Sequence, residues 1–342
     1  MTMTGLDIVA NAAKMVAPGR GILAADESTG TIQKRLDGIG VESTEDNRRA
    51  YRQLLFTTAG AEAHISGVIL FDETLRQAAD DGTPFSKLLL DKDILPGIKV
   101  DKGAKDLAGS LGEKVTEGLD GLRERLAEYV DLGATFTKWR AVIDIGAGIP
   151  SRYCIEANAH ALARYAALSQ EAGLVPIVEP EVLMDGDHDI ERCREVTEET
   201  LQVTFDQLAN QRVLLEGMVL KPNMVLPGKK CASQNSVEEV AEMTVKTLRR
   251  RVPAAVPGIA FLSGGQSEEE ATAHLNAMNG LGPLPWELSF SYGRALQASA
   301  LQAWGGKADA VAAGQAAFAH RAKMNGLARS GDYQADMERD AA

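Results

Sequence analysis

Cysteine is scarce in this sequence, and the few cysteines that occur are far apart. The chain of 342 residues contains only Cys154, Cys193 and Cys231, with no CxxC pair. This spacing argues against a disulfide framework and against a structural zinc site. We therefore expect a protein of a reducing compartment, the cytoplasm.

Long apolar runs and an excess of positive charge are also missing. No run of about 18 apolar residues occurs, so we expect no membrane span. The first residues, MTMTGLDIVANAAKMVAPGRG, lack the basic start and apolar core of a signal peptide. The formal net charge of −12 argues against nucleic acid or an anionic membrane surface as a partner.

The sequence does contain a regular alternation of short apolar runs and longer segments with helical periodicity. Eight runs have the length and composition of strands: 21–26, 66–72, 97–102, 134–140, 174–180, 217–222, 258–265 and 286–293. Eight βα units in one chain favour an α/β fold with a closed (β/α)₈ TIM barrel. The alternative is an open doubly wound sheet, but GILAADESTG after the first run lacks the GxGxxG loop of such folds.

Helical segments fill the intervals between these strands. Clear examples are 154–173, 237–252 and 267–279, the last opening with Ser267 and Glu270 as a capping box. No linker interrupts the pattern, so we expect a single domain over 1–342. Residues 1–17 would form an N-terminal helical extension with Leu6, Val9, Ala13 and Val16 on its apolar face, and 325–342 a short C-terminal tail.

Ionisable side chains recur where the predicted strands end. They are Asp26 with Glu27 and Ser28, Lys99, Lys138 with Arg140, Glu179 with Glu181, Lys221, and Arg294 after the last strand. Each alone is compatible with a solvated strand end, a helix cap or a rim ion pair. Together they would converge on the C-terminal mouth, where barrels of this kind build their active sites.

The turn SGGQS, which begins at Ser263, predicts an anion site. Glycines allow backbone N–H groups to approach an anion, and the following helix N-terminus favours negative charge. With Arg294 nearby, Ser263, Gly264 and Gly265 are typical of the phosphate sites that barrels form after strands 7 and 8.

Lys221 is the candidate nucleophile. A lysine with an ordinary pKa near 10.4 is neutral in only about one molecule in 2,500 at pH 7. Burial and neighbouring cations lower the pKa, and we expect Lys99 and Lys138 to supply those cations. A neutral Lys221 could then form a Schiff base with a carbonyl substrate while the carboxylates move protons.

Long motifs in the chain resemble the class I fructose-bisphosphate aldolases. They are GILAADESTG, GIKVDKG, VPIVEPE, LLEGMVLKPNMV, FLSGGQSEEE and FSYGRALQASALQAWGG, and the resemblance covers about residues 18–306. It implies reversible cleavage of fructose 1,6-bisphosphate to dihydroxyacetone phosphate and glyceraldehyde 3-phosphate. It further implies a lyase of glycolysis and gluconeogenesis that needs no metal or other cofactor and forms a homotetramer.

The resemblance also implies roles for individual residues. Lys221 corresponds to the Schiff-base lysine, Glu179 to the general acid/base with Glu181 beside it, Asp26 to the residue that orients the covalent intermediates, and Lys138 to the cation near the substrate hydroxyls. Ser263, Gly264, Gly265 and Arg294 match the site for the ketose C1 phosphate. Lys99, Ser28, Thr31, Lys34 and Arg35 match the region that binds the opposite end of the substrate and its second phosphate.

The chain departs from the family's animal members at two places. Thr31 stands where those members have serine, which keeps the hydroxyl. The sequence ends GDYQADMERDAA instead of in a terminal tyrosine. Because Tyr333 lies ten residues inside that position among acidic residues, we expect no docking of this tail in a mouth that binds phosphates.

A Schiff-base aldolase has two alternatives, a metal-dependent aldolase and a non-catalytic barrel. A metal-dependent aldolase would need clustered histidines, but His64, His160, His188, His274 and His320 show no ligand spacing. The acidic stretch DGDHD at 185–189 is interpreted instead as a cap for the helix that follows. A barrel used only as a scaffold or binding partner would not need every position of the motif intact. The sequence does not distinguish fructose 1,6-bisphosphate from fructose 1-phosphate as the preferred substrate.

Overall fold

Eight parallel strands close into a barrel in this protein, as the alternation of strands and helices predicted. The structure is a computed structural model that describes residues 5–341, with side chains described over 7–339. Around the barrel the strand order is β1-β8-β7-β6-β5-β4-β3-β2, with neighbours parallel throughout. The barrel strands are β1 (Gly21–Ala25), β2 (Ile65–Leu70), β3 (Leu95–Lys99), β4 (Phe136–Ile143), β5 (Val175–Val182), β6 (Val219–Leu220), β7 (Gly258–Phe261) and β8 (Glu287–Tyr292).

Helices follow the strands and cover the outside of the barrel. The α-helices are α1 (Gly5–Met15), α2 (Thr29–Asp37), α3 (Glu45–Thr57), α4 (Asp72–Leu75), α5 (Phe85–Asp91), α6 (Leu122–Asp131), α7 (Arg152–Glu171), α8 (Ile190–Asn210), α9 (Val237–Arg251), α10 (Glu268–Asn279), α11 (Arg294–Trp304) and α12 (Val311–Ser330). Short 3₁₀ helices occur at Ala61–Ala63, Leu215–Gly217, Ala308–Ala310 and Ala335–Ala341. No helix among residues 5–341 is both long enough and apolar enough to span a bilayer.

Strands covered on both faces need apolar residues at every position, and β1 and β2 are buried throughout. Phe136 fills the barrel interior beside Ile22, Ile69 and Val175. Gly97 makes room for that ring, because a Cβ at this position would lie 2.1 Å from a ring carbon of Phe136. The interior is therefore a packed core without room for a ligand, so a functional site is expected at the mouth of the barrel.

The N-terminal helix closes the bottom of the barrel, at the end opposite the mouth. Ile8, Ala12, Met15 and Val16 are buried in the same cluster as the interior residues of the strands. The predicted apolar face was right at Val16 but off by one position at two others, since Ala13 is exposed and Val9 only half-buried. The side chain of Leu6, also predicted for that face, lies outside the described side chains.

Several local predictions are confirmed at the helix ends. Ser267 caps α10, and Glu270 completes the capping box by accepting from the backbone of Ser267. Asp189 caps α8 by accepting from the backbone N–H of Arg192 at 2.8 Å, which confirms the interpretation of the acidic stretch before it.

Two features differ from the sequence-based expectations. A hairpin, Ala104–Asp106 paired with Lys114–Thr116, lies between β3 and β4 and was not predicted. The segment expected to form a tail from 325 is helical as far as Ser330, so the residues beyond the helix begin at Gly331.

The segment after Gly331 packs against the outside of the barrel. The backbone N–H of Tyr333 donates to Asn276 in α10 at 3.0 Å, and its hydroxyl donates to Glu338 at 3.0 Å. Glu338 pairs in turn with Arg321 of α12 at 2.5 Å and with His320 at 2.9 Å. Buried side chains and ion pairs therefore hold this segment on α10 and α12.

Candidate active site

One cleft of about 1130 Å³ opens at the C-terminal ends of the barrel strands. It is lined by all fourteen residues to which the family resemblance gave roles: Asp26, Ser28, Thr31, Lys34, Arg35, Lys99, Lys138, Glu179, Glu181, Lys221, Ser263, Gly264, Gly265 and Arg294. They come from the C-terminal ends of β1, β3, β4, β5, β6 and β7, and from the segments that follow β1 and β8.

Strand register brings the central charges together. In the pairing of β4 with β5, Arg140 lies opposite Glu179. Lys138, two residues earlier in β4, lies opposite Ile177. Residues two apart share a face, so Lys138 with Arg140 and Glu179 with Glu181 both face the cleft. Lys221 follows the last residue of β6, and its backbone N–H donates to Val178 of β5 at 2.8 Å.

Four buried ionisable groups form a chain of contacts at the centre of the cleft. Lys138 Nζ donates to Asp26 Oδ2 at 2.8 Å and lies 3.0 Å from Glu179 Oε2. Lys221 Nζ lies 3.2 Å from Glu179 Oε1. The order is therefore carboxylate, amine, carboxylate, amine, with Lys138 between two carboxylates and Lys221 beside one.

The pKa values of the two buried lysines shift in opposite directions. Burial lowers the pKa of Lys138, but attraction to Asp26 and Glu179 outweighs it and holds that pKa above the ordinary value. Burial lowers the pKa of Lys221, and repulsion from Lys138 adds to this; Glu179 and Asp26 only partly compensate, so the pKa remains lowered. Lys138 is the fixed cation of the site and Lys221 the amine more easily deprotonated.

Lys99 lies in the cleft at the end of β3, as expected, and has a carboxylate partner of its own. It bonds to the carboxylate of Asp101, and its amine also donates to the Asp101 carbonyl at 3.0 Å. Lys138 is the cation whose repulsion lowers the pKa of Lys221, while Lys99 helps to lower the pKa of Asp26. The effect of Lys99 on Lys221 stays a prediction, and its ion pair with Asp101 offsets part of its charge.

The two buried carboxylates in contact with Lys138 are held ionised. Burial raises the pKa of Glu179, but Lys138, Lys221 and Arg140 lower it by more. Burial likewise raises the pKa of Asp26, and Lys138 and Lys221 overcome that effect to leave the pKa below its ordinary value. Glu179 Oε2 is ion-paired with Lys138 Nζ at 3.0 Å but not in hydrogen-bond geometry, so its lone pairs remain available to accept a proton. Glu181 has a different partner, because its carboxylate forms an ion pair with Arg140.

The turn after β7 has the geometry expected of an anion site. Gly264 and Gly265 adopt φ values of 55° and 97°, which other residues rarely tolerate. The Gln266 N–H donates to the Ser263 carbonyl at 2.8 Å, and α10 begins two residues later. The exposed guanidinium of Arg294 lies over Gly265 and makes no ion pair with any residue in the described range 5–341.

A second set of polar groups follows β1 and β3. The hydroxyls of Ser28 and Thr31 lie 3.2 Å apart, and Arg35 bonds to Glu27. Lys34 is exposed and has no carboxylate partner within the part of the chain that the structure describes. Because β3 and β7 are four positions apart in the ring of eight, Lys99 and the Ser263 turn lie on opposite sides of the mouth.

Sequence reasoning missed several charged groups of the cleft, three of which form ion pairs within it. Asp101 could have been found, since it stands two residues after Lys99 in KVDK and its carboxylate also accepts from the backbone of Arg140 at 3.2 Å. Lys229 and Asp185, an ion pair at 2.9 Å, lie in loops beyond the strand ends. Asp185 belongs to the stretch 185–189 that was interpreted only as a helix cap, and Lys229 gave no signal. Among residues 5–341, no three His, Cys, Asp or Glu side chains are grouped to hold a metal ion.

Comparison with known proteins identifies the family. The profile described as "Fructose-bisphosphate aldolase class-I" matches residues 7–342. A probable fructose-bisphosphate aldolase class 1 of Xanthomonas campestris is 63% identical, with 94% of this chain and 96% of the relative covered. The cytosolic fructose-bisphosphate aldolase 6 of Arabidopsis thaliana is 58% identical, with 96% and 92% covered.

Solved structures agree with this result. The fructose-bisphosphate aldolase of Plasmodium falciparum, crystallised with TRAP and a small-molecule inhibitor, superposes with a TM-score of 0.96. It is 50% identical, and the match covers 98% of each chain. Similarity of this extent confirms the resemblance seen in the motifs: the chain belongs to the class I fructose-bisphosphate aldolase family.

Proposed function

We propose that this chain cleaves fructose 1,6-bisphosphate reversibly, with Lys221 forming the Schiff base. The observation that carries this assignment is the contrast between its two buried central lysines. Lys138 is held charged between two carboxylates, whereas burial and repulsion from Lys138 lower the pKa of Lys221. The amine that is neutral more often is the better nucleophile toward a ketone.

The reaction begins when neutral Lys221 attacks the C2 carbonyl of the ketose. Loss of water from the carbinolamine gives an iminium ion, which acts as the electron sink. Lys138 and Asp26 stay charged through these steps, and Asp26 orients the covalent intermediates.

Carbon–carbon cleavage requires a base at the C4 hydroxyl. Glu179 Oε1 lies 3.2 Å from Lys221 Nζ, and Oε2 has no hydrogen bond from the described residues. Ionised Glu179 takes the hydroxyl proton while the C3–C4 bond breaks and its electrons enter the iminium to form an enamine. Glyceraldehyde 3-phosphate leaves; protonation of the enamine at C3 and hydrolysis of the resulting imine release dihydroxyacetone phosphate. Glu181 keeps Arg140 beside Glu179.

Two anion sites on opposite sides of the mouth suit a substrate with a phosphate at each end. The C1 phosphate binds at Ser263, Gly264, Gly265 and Arg294, and the second phosphate at Lys99, Ser28, Thr31, Lys34 and Arg35. Arg294 and Lys34 lack carboxylate partners among the described residues, so phosphate binding need not break an ion pair at either.

We further propose a cytoplasmic homotetramer. The cytoplasm is supported by the Arabidopsis and spinach relatives, which are named cytosolic or cytoplasmic isozymes. The tetramer follows from the family resemblance, and light scattering of the purified protein tests it.

Borohydride trapping tests the proposed chemistry. Sodium borohydride added with dihydroxyacetone phosphate should inactivate the enzyme and leave one reduced adduct, which peptide mass mapping should locate at Lys221. Lys221→Met should form no adduct, and incubation with EDTA should leave activity intact. An adduct on Lys138 or Lys99 would overturn the assignment. Activity lost to EDTA and restored by zinc would indicate a metal-dependent aldolase instead, and absence of both adduct and cleavage would indicate a barrel without this activity.

A further inference from the structure

Lys229 belongs to a loop whose backbone is held by the loop after β5, so the position of its Cα is fixed. Three backbone hydrogen bonds join this loop to the one after β5: Gly228 N–H to His188 O at 2.8 Å, Lys229 N–H to Met184 O at 2.7 Å, and Lys230 N–H to Gly186 O at 2.9 Å. Gly228 also packs on Gly186, since a Cβ on Gly228 would lie 2.2 Å from the Gly186 carbonyl oxygen.

The amine of Lys229 lies over the glycine turn of the C1 phosphate site. A Cβ placed on Gly265 would lie 2.4 Å from Lys229 Nζ and 2.9 Å from Arg294 Nη2. Two cations therefore face the same peptide, one from the loop after β6 and one from the start of α11. Lys229 also lines the cleft, together with Asp185, its partner at 2.9 Å.

This arrangement has more positive than negative charge. Two like charges so close together repel, and Asp185 is the one carboxylate among the described residues that forms an ion pair with either of them. The Lys229–Asp185 pair is partly solvated, with side chains 43% and 63% exposed, so it is weak and easily exchanged. A phosphate dianion on the Gly264–Gly265 amides would contact both cations and supply the missing charge.

We propose that Lys229 is a further substrate-binding residue, which contacts the phosphate of the dihydroxyacetone phosphate half and exchanges Asp185 for it on binding. The inference rests on the proposed function. It adds a cation from the loop after β6 to the site that Ser263, Gly264, Gly265 and Arg294 form, and it assigns Asp185 as the group that holds Lys229 in the free enzyme.

Lys230 offers a matched control. It has the same charge and the same loop backbone, and its side chain is exposed but does not line the cleft. Lys229→Gln should raise KM for fructose 1,6-bisphosphate about tenfold with kcat changed less than about threefold, the loss of one charge-assisted contact. Lys230→Gln should leave both constants within about twofold.

Two further measurements separate phosphate contact from a merely structural role. The half-saturating concentration for borohydride trapping should rise in Lys229→Gln with dihydroxyacetone phosphate, yet stay unchanged with dihydroxyacetone, which has no phosphate. Asp185→Asn also breaks the ion pair but frees the amine, so its KM should equal or fall below that of the wild type.

Three outcomes would overturn the inference: equal effects of Lys229→Gln and Lys230→Gln, equal losses with both trapping substrates, or a raised KM in Asp185→Asn. Wild-type trapping at Lys221 would stand in each of these cases. Failure of the wild type to form any adduct with dihydroxyacetone phosphate would instead refute the proposed function itself.

Discussion

Glu179→Gln separates the two roles that we propose for this carboxylate. As the proposed base, Glu179 would accept the C4 hydroxyl proton; as a charge 3.2 Å from Lys221 Nζ, it raises the pKa of that amine. The amide keeps the shape and most of the hydrogen bonding but can do neither. Cleavage should therefore fall while Lys221 loses a stabilising partner for its protonated form.

The expected size of both effects can be calculated. Removal of a general base lowers kcat by about 10²–10⁴. The attraction lost between two unit charges 3.2 Å apart is about 1 kcal/mol in water and about 5 kcal/mol at an effective dielectric constant of about 20. Borohydride trapping of Lys221 should thus reach half its maximal rate at a pH at least about one unit lower than in the wild type.

The assay measures two quantities on the same preparations. One is cleavage of fructose 1,6-bisphosphate; the other is the rate of borohydride trapping with dihydroxyacetone phosphate from mildly acidic to alkaline pH, normalised to each variant's own maximum. A slower maximal rate in Glu179→Gln is compatible with the account. Near-normal cleavage would remove Glu179 as the base and make Glu181 or Asp26 the candidate, and a trapping profile moved to higher pH would contradict the electrostatic argument.

Three other substitutions test neighbouring parts of the account. Lys138→Met leaves two buried carboxylates without their shared cation, so we expect kcat at least about 100-fold lower and, in thermal denaturation, a stability loss of about 3 kcal/mol or more. Tyr333→Phe should change cleavage less than about threefold, because this tyrosine is buried on α10 and does not line the cleft; a tenfold loss with trapping unaffected would show that it assists catalysis. Glu338→Gln tests a pH dependence. Burial raises the pKa of Glu338, but Arg321 and His320 hold it below its ordinary value of 4.5. The ionised carboxylate therefore stabilises the fold above pH 4.5, and this stabilisation is lost as pH falls through the folded-state pKa. Glu338→Gln should accordingly lower Tm at neutral pH, and the difference from the wild type should shrink as pH falls below 4.5 toward the folded-state pKa; a difference that does not change with pH would show that packing, and not charge, is responsible.

Much of the fold was readable from the sequence because parallel barrel strands have a strong local signal. Runs such as ILAA and GVIL are apolar at every position since helices cover one face and the interior packs the other. The capping box at Ser267 and the cap at Asp189 are local too, and both were predicted correctly.

Predictions failed where long-range packing decides. Strand β6, which precedes α9, was expected over 217–222, but only Val219–Leu220 pairs as strand, because Leu215–Gly217 forms a 3₁₀ helix and Pro222 has no N–H to donate. Periodicity predicted helix α1 and the buried Val16, but it placed Val9 and Ala13 on the apolar face. Contact with the barrel floor selects Ile8, Ala12 and Met15 instead.

Among the site residues, too, local properties could be predicted from the sequence and long-range contacts could not. Strand alternation placed Lys138 and Glu179 on the face of the cleft, which is a local property. Contacts between different segments of the barrel could not be predicted in this way. They include the ion pairs of Lys138 with both Asp26 and Glu179, and the ion pair of Lys99 with Asp101. Lys229 escaped notice because its loop is positioned by backbone contacts with residues about 40 positions earlier.

The central claim is that the pKa values of the two buried lysines are shifted in opposite directions, which makes Lys221 the nucleophile. NMR of protein labelled with ¹³C at lysine Cε measures this directly, with Lys221→Met and Lys138→Met to assign the two signals. We predict that the Lys221 signal titrates below the exposed lysines and that the Lys138 signal shows no deprotonation while the exposed lysines titrate. A Lys221 signal that titrates with the exposed lysines or above them would contradict the account.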